Sequence, residues 1–221
     1  TYLWPDRRQL MRKILATLLQ VRLAVAVIAV LGLAFVAVGI LVGMPPFAYI
    51  VIGVLIGLPT VMYVHKPREN AITNAKALTF FFGATLASLL IIQLIPYGKD
   101  HSNPPVNGEP AWSSPRTREL MVNACFGCHS NSVEYPAYAS VAPISWTVQS
   151  HIDEGREKVN YQEWNSRQRN ADETIEVIKE GSMPPSYYTM FGKHPEAKLT
   201  DAEISELIAG LLATGGMNEN D

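Results

Sequence analysis

The chain has 221 residues, 48% of them hydrophobic and 17% charged, with a net charge of −2. This total combines two opposed parts: residues 1–96 hold eight basic and two acidic residues (+6), and residues 97–221 hold ten basic and eighteen acidic residues (−8). The acidic part argues against nucleic acid as a partner, and it suits either a basic partner or docking surface or an ordinary solvated surface. With only two cysteines, the chain cannot form a four-cysteine zinc or iron–sulfur site.

Three apolar segments fill most of the first part, at residues 21–42, 46–64 and 75–95. At 1.5 Å per residue, such segments are long enough to cross about 30 Å of hydrocarbon. A signal peptide has an apolar region of only about 7–15 residues, which is shorter than the first segment. We therefore predict a membrane domain with three transmembrane helices in residues 1–96. Pro59 interrupts the second segment, and a re-entrant course there would invert the topology.

The basic residues of the first part predict its orientation. The short turn after the first span has no charge, and the basic residues cluster before that span and between the other two: Arg7, Arg8, Arg12, Lys13, Arg22, Lys66, Arg68 and Lys76. Because cytoplasmic flanks carry the excess of Lys and Arg, the N-terminus is predicted inside and everything after Pro96 outside. The expected location is the bacterial inner membrane, with the second part on the periplasmic side.

Residues 97–114 are rich in Pro, Gly, Asn and Ser and show no apolar period. This composition predicts an extended linker, which would either let the following domain swing or lie along a partner. We expect His101, within this segment, to be solvated.

Residues 115–221 are predicted to form one small all-helical domain without strands. Helix signals are Ser114 and Pro115 before one helix, an apolar stripe in 142–158, and capping boxes at Asn170 and Thr200. The stripe places Ile144, Val148 and Ile152 on one face. Stop signals are Gly181 for the third helix and Gly215-Gly216 for the fourth.

The segment Cys125-Phe126-Gly127-Cys128-His129 has the C-x-x-C-H spacing of a covalent c-type haem attachment site. Thiols one helical turn apart can each add to a haem vinyl group, and the adjacent His129 then lies under the ring to bind iron. The alternative is a redox dithiol or a structural disulfide, but a C-x-x-C redox motif is expected near a βαβ pattern, which the sequence lacks. The predicted cofactor is one haem c.

The sixth iron ligand must come from elsewhere in the chain, and Met183 is the best candidate. It lies in Gly181-Ser182-Met183-Pro184-Pro185, a rigid loop after a helix. A Met/His pair raises the haem potential and suits electron transfer. The competing candidates are Met190, His151 and His194, with His151 expected to face the pocket and His194 to be exposed.

Residues 118–213 resemble the bacterial haem-binding domain family of monohaem c-type cytochromes. The resemblance rests on CxxCHSN, a Tyr-Pro turn, Pro-x-Ser-Trp, His-x-x-x-Gly-Arg, Met-Pro-Pro-x-x-Tyr and Leu-Thr-x-x-Glu. It implies a class I-like cytochrome c domain with haem on Cys125 and Cys128 and with His129 and Met183 as axial ligands. It also implies roles near the haem for three further residues: Trp146, Arg156 and Tyr188.

The three spans depart from that family, whose common members carry one anchor. In architecture alone they are similar to the monohaem cytochromes bound to the reaction centres of green sulfur bacteria and related phototrophs. Three spans suggest lateral packing against other membrane subunits, or a self-contained bundle. Five glycines at permissive spacings allow close helix approach: Gly32, Gly39, Gly43, Gly53 and Gly57.

The expected function is that of an electron carrier, not an enzyme. It would pass single electrons within a photosynthetic or respiratory complex, with a reaction centre, quinol-oxidising complex, terminal oxidase or soluble redox protein as partner. One alternative is a haem sensor or peroxidase-like enzyme, which needs an open sixth position. Another is an assembly or structural subunit in which the haem is secondary.

Overall fold

The computed structural model describes residues 11, 12, 15, 16, 19, 21–66 and 72–217, with the side chain of Phe191 outside the description. Within that part, the chain forms eight helices and no strand, so the all-α prediction is confirmed. Contacts divide it into two compact units, Thr1–Pro96 and Tyr97–Asp221. Four of the basic residues used to predict orientation lie outside the described residues: Arg7, Arg8, Lys13 and Arg68.

The described residues of the first unit include three helices long and apolar enough to cross a membrane: α1 (Arg22–Leu41), α2 (Pro46–His65) and α3 (Asn74–Leu94). Their mean hydropathy lies between 2.0 and 2.9, and only 11–17% of each is buried within the chain. The three predicted apolar segments agree with these helices within one residue at every end. The faces that the chain leaves uncovered are apolar, as hydrocarbon requires.

Pro59 does not break α2. The helix passes through a π turn at Gly53–Gly57 and continues to His65. Because proline has no N–H, it leaves the carbonyl of Leu55, four residues earlier, without its usual helical donor. The Ser88 hydroxyl of α3 donates to that carbonyl at 3.2 Å. A neighbouring helix therefore replaces the missing bond, which is one way in which apolar helices accommodate proline.

A small buried cluster joins the start of α1, the end of α2 and the start of α3, and its members are Val21, Ala24, Val64, Ile72 and Ala77. Beside it, the Asn74 side chain accepts a hydrogen bond from the backbone N–H of Ala24 at 2.9 Å. That N–H lies in the first turn of α1, where a helix lacks internal acceptors. The three helices consequently run up, down and up.

Gly39 is the span glycine for which the structure shows the close contact that the spacing suggests. A Cβ on Gly39 would overlap the Tyr49 hydroxyl of α2, whose ring also meets Phe35 edge-on at 6.0 Å. At Gly32, Gly53 and Gly57, a Cβ would meet nothing within 4 Å.

Residues 97–217 of the second unit form five helices: α4 (Pro115–Ala124), α5 (Phe126–His129), α6 (Ile144–Lys158), α7 (Thr174–Lys179) and α8 (Asp201–Leu212). Two predicted starts are confirmed, because Ser114 caps α4 and Thr200 forms a capping box with Glu203 on α8. Helices α4 and α8 cross where Gly210 leaves room for the side chain of Thr117. This crossing closes the core that contains Leu120, Met121, Leu207 and Leu211.

Three predicted helix details are wrong. Helix α7 begins at Thr174, and the Asn170 side chain donates to Glu173 without capping the helix. Helix α6 begins at Ile144, after Pro143, and Ile144 is 47% exposed, so its buried face is not the expected apolar stripe. That face is formed largely by small or polar residues, because α5 crosses it closely. The predicted end of α8 at Gly215-Gly216 is also wrong, because the helix already ends at Leu212.

Residues 97–114 have no regular secondary structure, and they bond to the rest of the second unit at several points. The Tyr97 hydroxyl donates to Asp153 of α6 at 3.0 Å, and Asn103 donates to the carbonyl of Val133 at 2.8 Å. The expectation that His101 is solvated is wrong: its ring stacks on Tyr135 at 4.3 Å, because this segment lies against the domain.

Candidate haem site

A cavity of about 360 Å³ opens between α5, α6, α7 and the loop that follows α7. This volume falls within the roughly 300–1,000 Å³ of small-molecule and cofactor sites. Its lining is largely apolar, with polar side chains from Glu154, Lys158 and Glu173. Four of the predicted haem ligands and attachment residues line it: Cys125, Cys128, His129 and Met183.

Both cysteines of the C-x-x-C-H segment are free thiols at the cavity wall. They lie on one short turn, where the backbone N–H groups of Cys128 and His129 donate to the Cys125 carbonyl at 3.2 and 3.0 Å. Burial raises the pKa of Cys125 to about 12 and that of Cys128 to about 11. Burial in the apolar cavity wall therefore favours the protonated thiol form of both cysteines.

His129 is oriented by a hydrogen bond from its ring. Its Nδ1 lies 3.0 Å from the carbonyl oxygen of Val159, so Nδ1 carries the proton and Nε2 keeps a free lone pair. Burial lowers the pKa of His129, which favours the neutral imidazole. A neutral ring held through one nitrogen is the form in which histidine binds metals.

Gly155 of α6 explains how two helices meet at the attachment segment. A Cβ on Gly155 would lie 2.9 Å from the carbonyl oxygen of Cys128 and 3.1 Å from its Cβ. On the other side of the turn, a Cβ on Gly127 would overlap the Tyr188 hydroxyl. Sequence reasoning missed both glycines; the signal was a glycine inside a segment that otherwise favours helix.

The loop carrying Met183 is fixed to the end of α7. Gly181, at φ +69°, ends the helix as predicted, and its N–H donates to the Ile178 carbonyl at 3.1 Å. The N–H groups of Ser182 and Met183 donate to the Val177 carbonyl at 3.0 and 3.2 Å. This is a Schellman termination extended by one residue. It holds the Met183 backbone at the cavity, while its side chain is 40% exposed.

Of the three further residues that the resemblance places near the haem, one lines the cavity and two do not. Tyr188 lines the cavity, whereas Trp146 and Arg156 are not among its lining residues. Trp146 is fully buried in α6. Arg156 instead donates from Nε to the carbonyl of Ser130 at 2.8 Å and from Nη2 to Asn103 at 2.9 Å.

Of the three competing candidates for the sixth iron ligand, one lines the cavity and two do not. His151 lines the cavity, as expected, with its ring 4.8 Å from that of Tyr187. His194 is not among the lining residues, and the expectation that it is exposed is wrong, because it stacks on Tyr188 at 4.1 Å and bonds the Tyr138 hydroxyl at 3.2 Å. Met190 is also not among the lining residues.

Tyr161 is a cavity residue that sequence reasoning did not find. Its ring centroid lies 6.1 Å from that of His129, and its buried hydroxyl bonds to Thr174 at 2.9 Å. Tyr161 thereby ties the start of α7 to the wall beside the histidine. No local signal separates this tyrosine from the others in the chain.

The side chains present suit a haem better than a bare ion. Within the described ranges, no three His, Cys, Asp or Glu side chains gather into a possible metal site. Two thiols, one oriented imidazole and one thioether border a single apolar cavity. Soft and imidazole donors around an apolar space fit a haem held by its ring, its iron and its substituents.

Comparison with known proteins agrees with this geometry. The model of a family described as haem-binding domain matches residues 87–213, more than half of the chain. The chain belongs to this haem-binding domain family, and the matched region extends from α3 through α8. Searches of curated proteins and of solved structures found no match.

Proposed function

We propose that this haem protein is a membrane-anchored monohaem c-type cytochrome that transfers single electrons. The observation that carries the proposal is the convergence of Cys125, Cys128, His129 and Met183 on one cavity. Cys125 and Cys128 would form the two thioether bonds, and His129 and Met183 would bind the iron. The bound haem would supply the one-electron chemistry at its iron.

The protein's own residues orient the two proposed iron ligands and exclude water from the cavity. The Val159 carbonyl orients His129, and the Schellman termination holds Met183. The apolar wall would limit the access of water to a bound haem, and a thioether ligand would favour its ferrous state. A carrier with both axial positions filled needs no substrate pocket, so we propose that the protein is not an enzyme.

We further propose that it serves as a subunit of a photosynthetic reaction-centre complex or of a respiratory complex. Three helices suited to crossing a membrane exceed the single span that an anchor requires. Their faces are mostly uncovered within the chain, which suits contact with lipid and with other membrane subunits. The basic residues between α2 and α3 favour a cytoplasmic loop there and a periplasmic haem domain.

The first test is whether the haem is covalent. Full-length protein from cells with a cytochrome c maturation system should keep its haem after denaturation in acidic organic solvent. Cys125→Ala and Cys128→Ala should each retain one thioether link and show a shifted reduced α-band. Complete extraction of haem from the wild-type protein would refute the c-type assignment while leaving haem binding intact.

The second test separates a carrier from a haem sensor or peroxidase-like enzyme. The 40% exposure of Met183 is the observation that favours this alternative, because an exposed ligand exchanges more readily. Reduced protein should show the same visible spectrum with and without carbon monoxide if Met183 stays bound. Rapid formation of a carbon monoxide complex at neutral pH would favour the sensor or enzyme.

Partner identity is tested by co-purification. Extraction in a mild detergent should retain a reaction centre, a quinol-oxidising complex or a terminal oxidase with the cytochrome. Recovery of the cytochrome alone, with full redox activity towards soluble carriers, would argue against an integral subunit.

A further inference from the structure

We propose that residues 103–109, here named the strap, position the axial histidine and so tune the potential of the haem. The proposal rests on the proposed function in one respect, namely that His129 binds the iron. It assigns a role to a segment whose composition predicts only a linker. Four observations carry it, each from a different set of contacts.

The first observation is that His129 is fixed to the segment after α6. Besides the bond from its ring to the Val159 carbonyl, its own backbone carbonyl accepts from the N–H of Tyr161 at 2.9 Å. The imidazole can therefore turn only if residues 159–161 move with it.

The second observation is that buried amides join these two segments. Asn160 donates from Nδ2 to Oδ1 of Asn131 at 2.7 Å, and the backbone N–H of Asn131 donates to Oε1 of Gln162 at 3.0 Å. These three side chains are only 3–4% exposed. Because a buried amide without a partner costs about 1–3 kcal/mol, the network holds one arrangement.

The third observation is that the strap completes this network. The side-chain amide of Asn131 donates from Nδ2 to the Pro105 carbonyl at 2.9 Å. The backbone carbonyl of Gln162 accepts a hydrogen bond from the backbone N–H of Asn107 at 2.8 Å. Gln162 also donates to Glu109 at 3.0 Å. The strap thus covers the network along its length and supplies partners that water would otherwise supply.

The fourth observation concerns Arg156, which the resemblance places near the haem. Its guanidinium donates to the carbonyl of Ser130, the residue after the histidine, and to Oδ1 of Asn103 at the start of the strap. Asn103 in turn donates to the Val133 carbonyl at 2.8 Å. Arg156 therefore joins the strap to the histidine segment, which accounts for its position outside the cavity lining.

The consequence follows from how a histidine ligand is tuned. A strong bond from Nδ1–H to a carbonyl makes the imidazole a more basic ligand, and a basic ligand stabilises ferric iron. Loosening the strap should lengthen the bond to Val159 and weaken this effect. Variants of the strap network should then have a higher midpoint potential than the wild-type protein.

The experiment compares three variants of the full-length holoprotein that leave its charge unchanged: Asn131→Ala, Asn103→Ala and Thr200→Ala. Thr200→Ala is the control, because it removes the cap of α8, costing about 1 kcal/mol, without touching the histidine network. Midpoint potential, g-values of the oxidised haem and the thermal midpoint are measured for each. Both asparagine variants should raise the potential and shift the g-values, whereas the control should lower only the thermal midpoint.

Unchanged potential and g-values in the asparagine variants would overturn the strap proposal. If Asn131→Ala does not fold, Asn103→Ala decides, because Asn103 is exposed and its loss creates no cavity. A wild-type spectrum without low-spin, histidine-ligated haem would overturn the ligand assignment and the strap proposal together. A normal wild-type spectrum with unresponsive variants would overturn the strap alone.

Discussion

Gly155 and Cys128 approach so closely that a Cβ on Gly155 would lie 2.9 Å from the Cys128 carbonyl oxygen. This contact sets the distance between α6 and the attachment turn, since backbone atoms on both sides have little room to move. The spacing of the cavity walls depends on the absence of one side-chain carbon.

Gly155→Ala should therefore move α5 away from α6. Overpacking of this kind costs about 1–3 kcal/mol, and the displaced thiols should react less completely with haem. The haem content per protein and the thermal midpoint measure both effects. Gly215→Ala is the matched control, because its added Cβ meets nothing within 4 Å. Wild-type haem content in Gly155→Ala would show that the turn tolerates the displacement.

Met183→His should keep the covalent haem and lower the midpoint potential, because imidazole favours ferric iron more than thioether does. The near-infrared band of methionine-ligated iron should disappear with the substitution. Met190→Leu is the control, since Met190 does not line the cavity, and its potential should match the wild type. A retained methionine band in Met183→His would show that another residue is the ligand.

Glu109 should make stability depend on acid pH. Hydrogen bonds from Arg118 at 2.7 and 2.8 Å, with further bonds from Gln162 and Trp112, lower its pKa from 4.5 to about 2. Since the folded pKa lies below the unfolded one, this stabilisation is complete above pH 4.5 and is lost as pH falls towards 2.

Glu109→Gln should reduce stability at pH 7 by about 2 kcal/mol, after allowing for solvent screening. Thermal midpoints of the wild type and the variant should converge as the pH is lowered from 5 to about 3. A constant difference over that range would mean that the carboxylate charge contributes nothing.

Ser88→Ala should destabilise the first unit by about 0.6–1.7 kcal/mol, because it leaves the Leu55 carbonyl without a donor. In a Pro59→Ala background the same change should cost less, since the new N–H of residue 59 bonds that carbonyl instead. Unfolding in detergent of the two single variants and the double variant gives the coupling. If Ser88→Ala lowers stability equally with and without Pro59→Ala, the hydrogen bond from Ser88 does not compensate for the proline.

Topology tags test the predicted orientation. Reporters at the N-terminus and between α2 and α3 should be active in the cytoplasm, and a reporter after Asp221 should be active outside, from the asymmetry of basic residues. A cytoplasmic C-terminal reporter on a haem-loaded protein would contradict both the orientation and a periplasmic haem domain.

Much of the fold follows from local sequence. The three spans, the caps at Ser114 and Thr200 and the stop at Gly181 match the structure because hydropathy and capping act within a few residues. The predicted face of α6 was wrong for the opposite reason. Which face of a helix is buried depends on the element that packs against it. Because α5 packs closely against α6, only small side chains fit between the two helices.

The sequence by itself determined the helical class, the spans and the candidate attachment residues, because each depends on spacing along one segment. Only the tertiary structure placed Met183 and Tyr188 at the same cavity as Cys125, and laid residues 103–109 against the histidine segment. Those contacts join residues 26–63 positions apart, and no local pattern records them. Long-range packing, hydrogen bonding of buried amides and the close approach at Gly155 decided them.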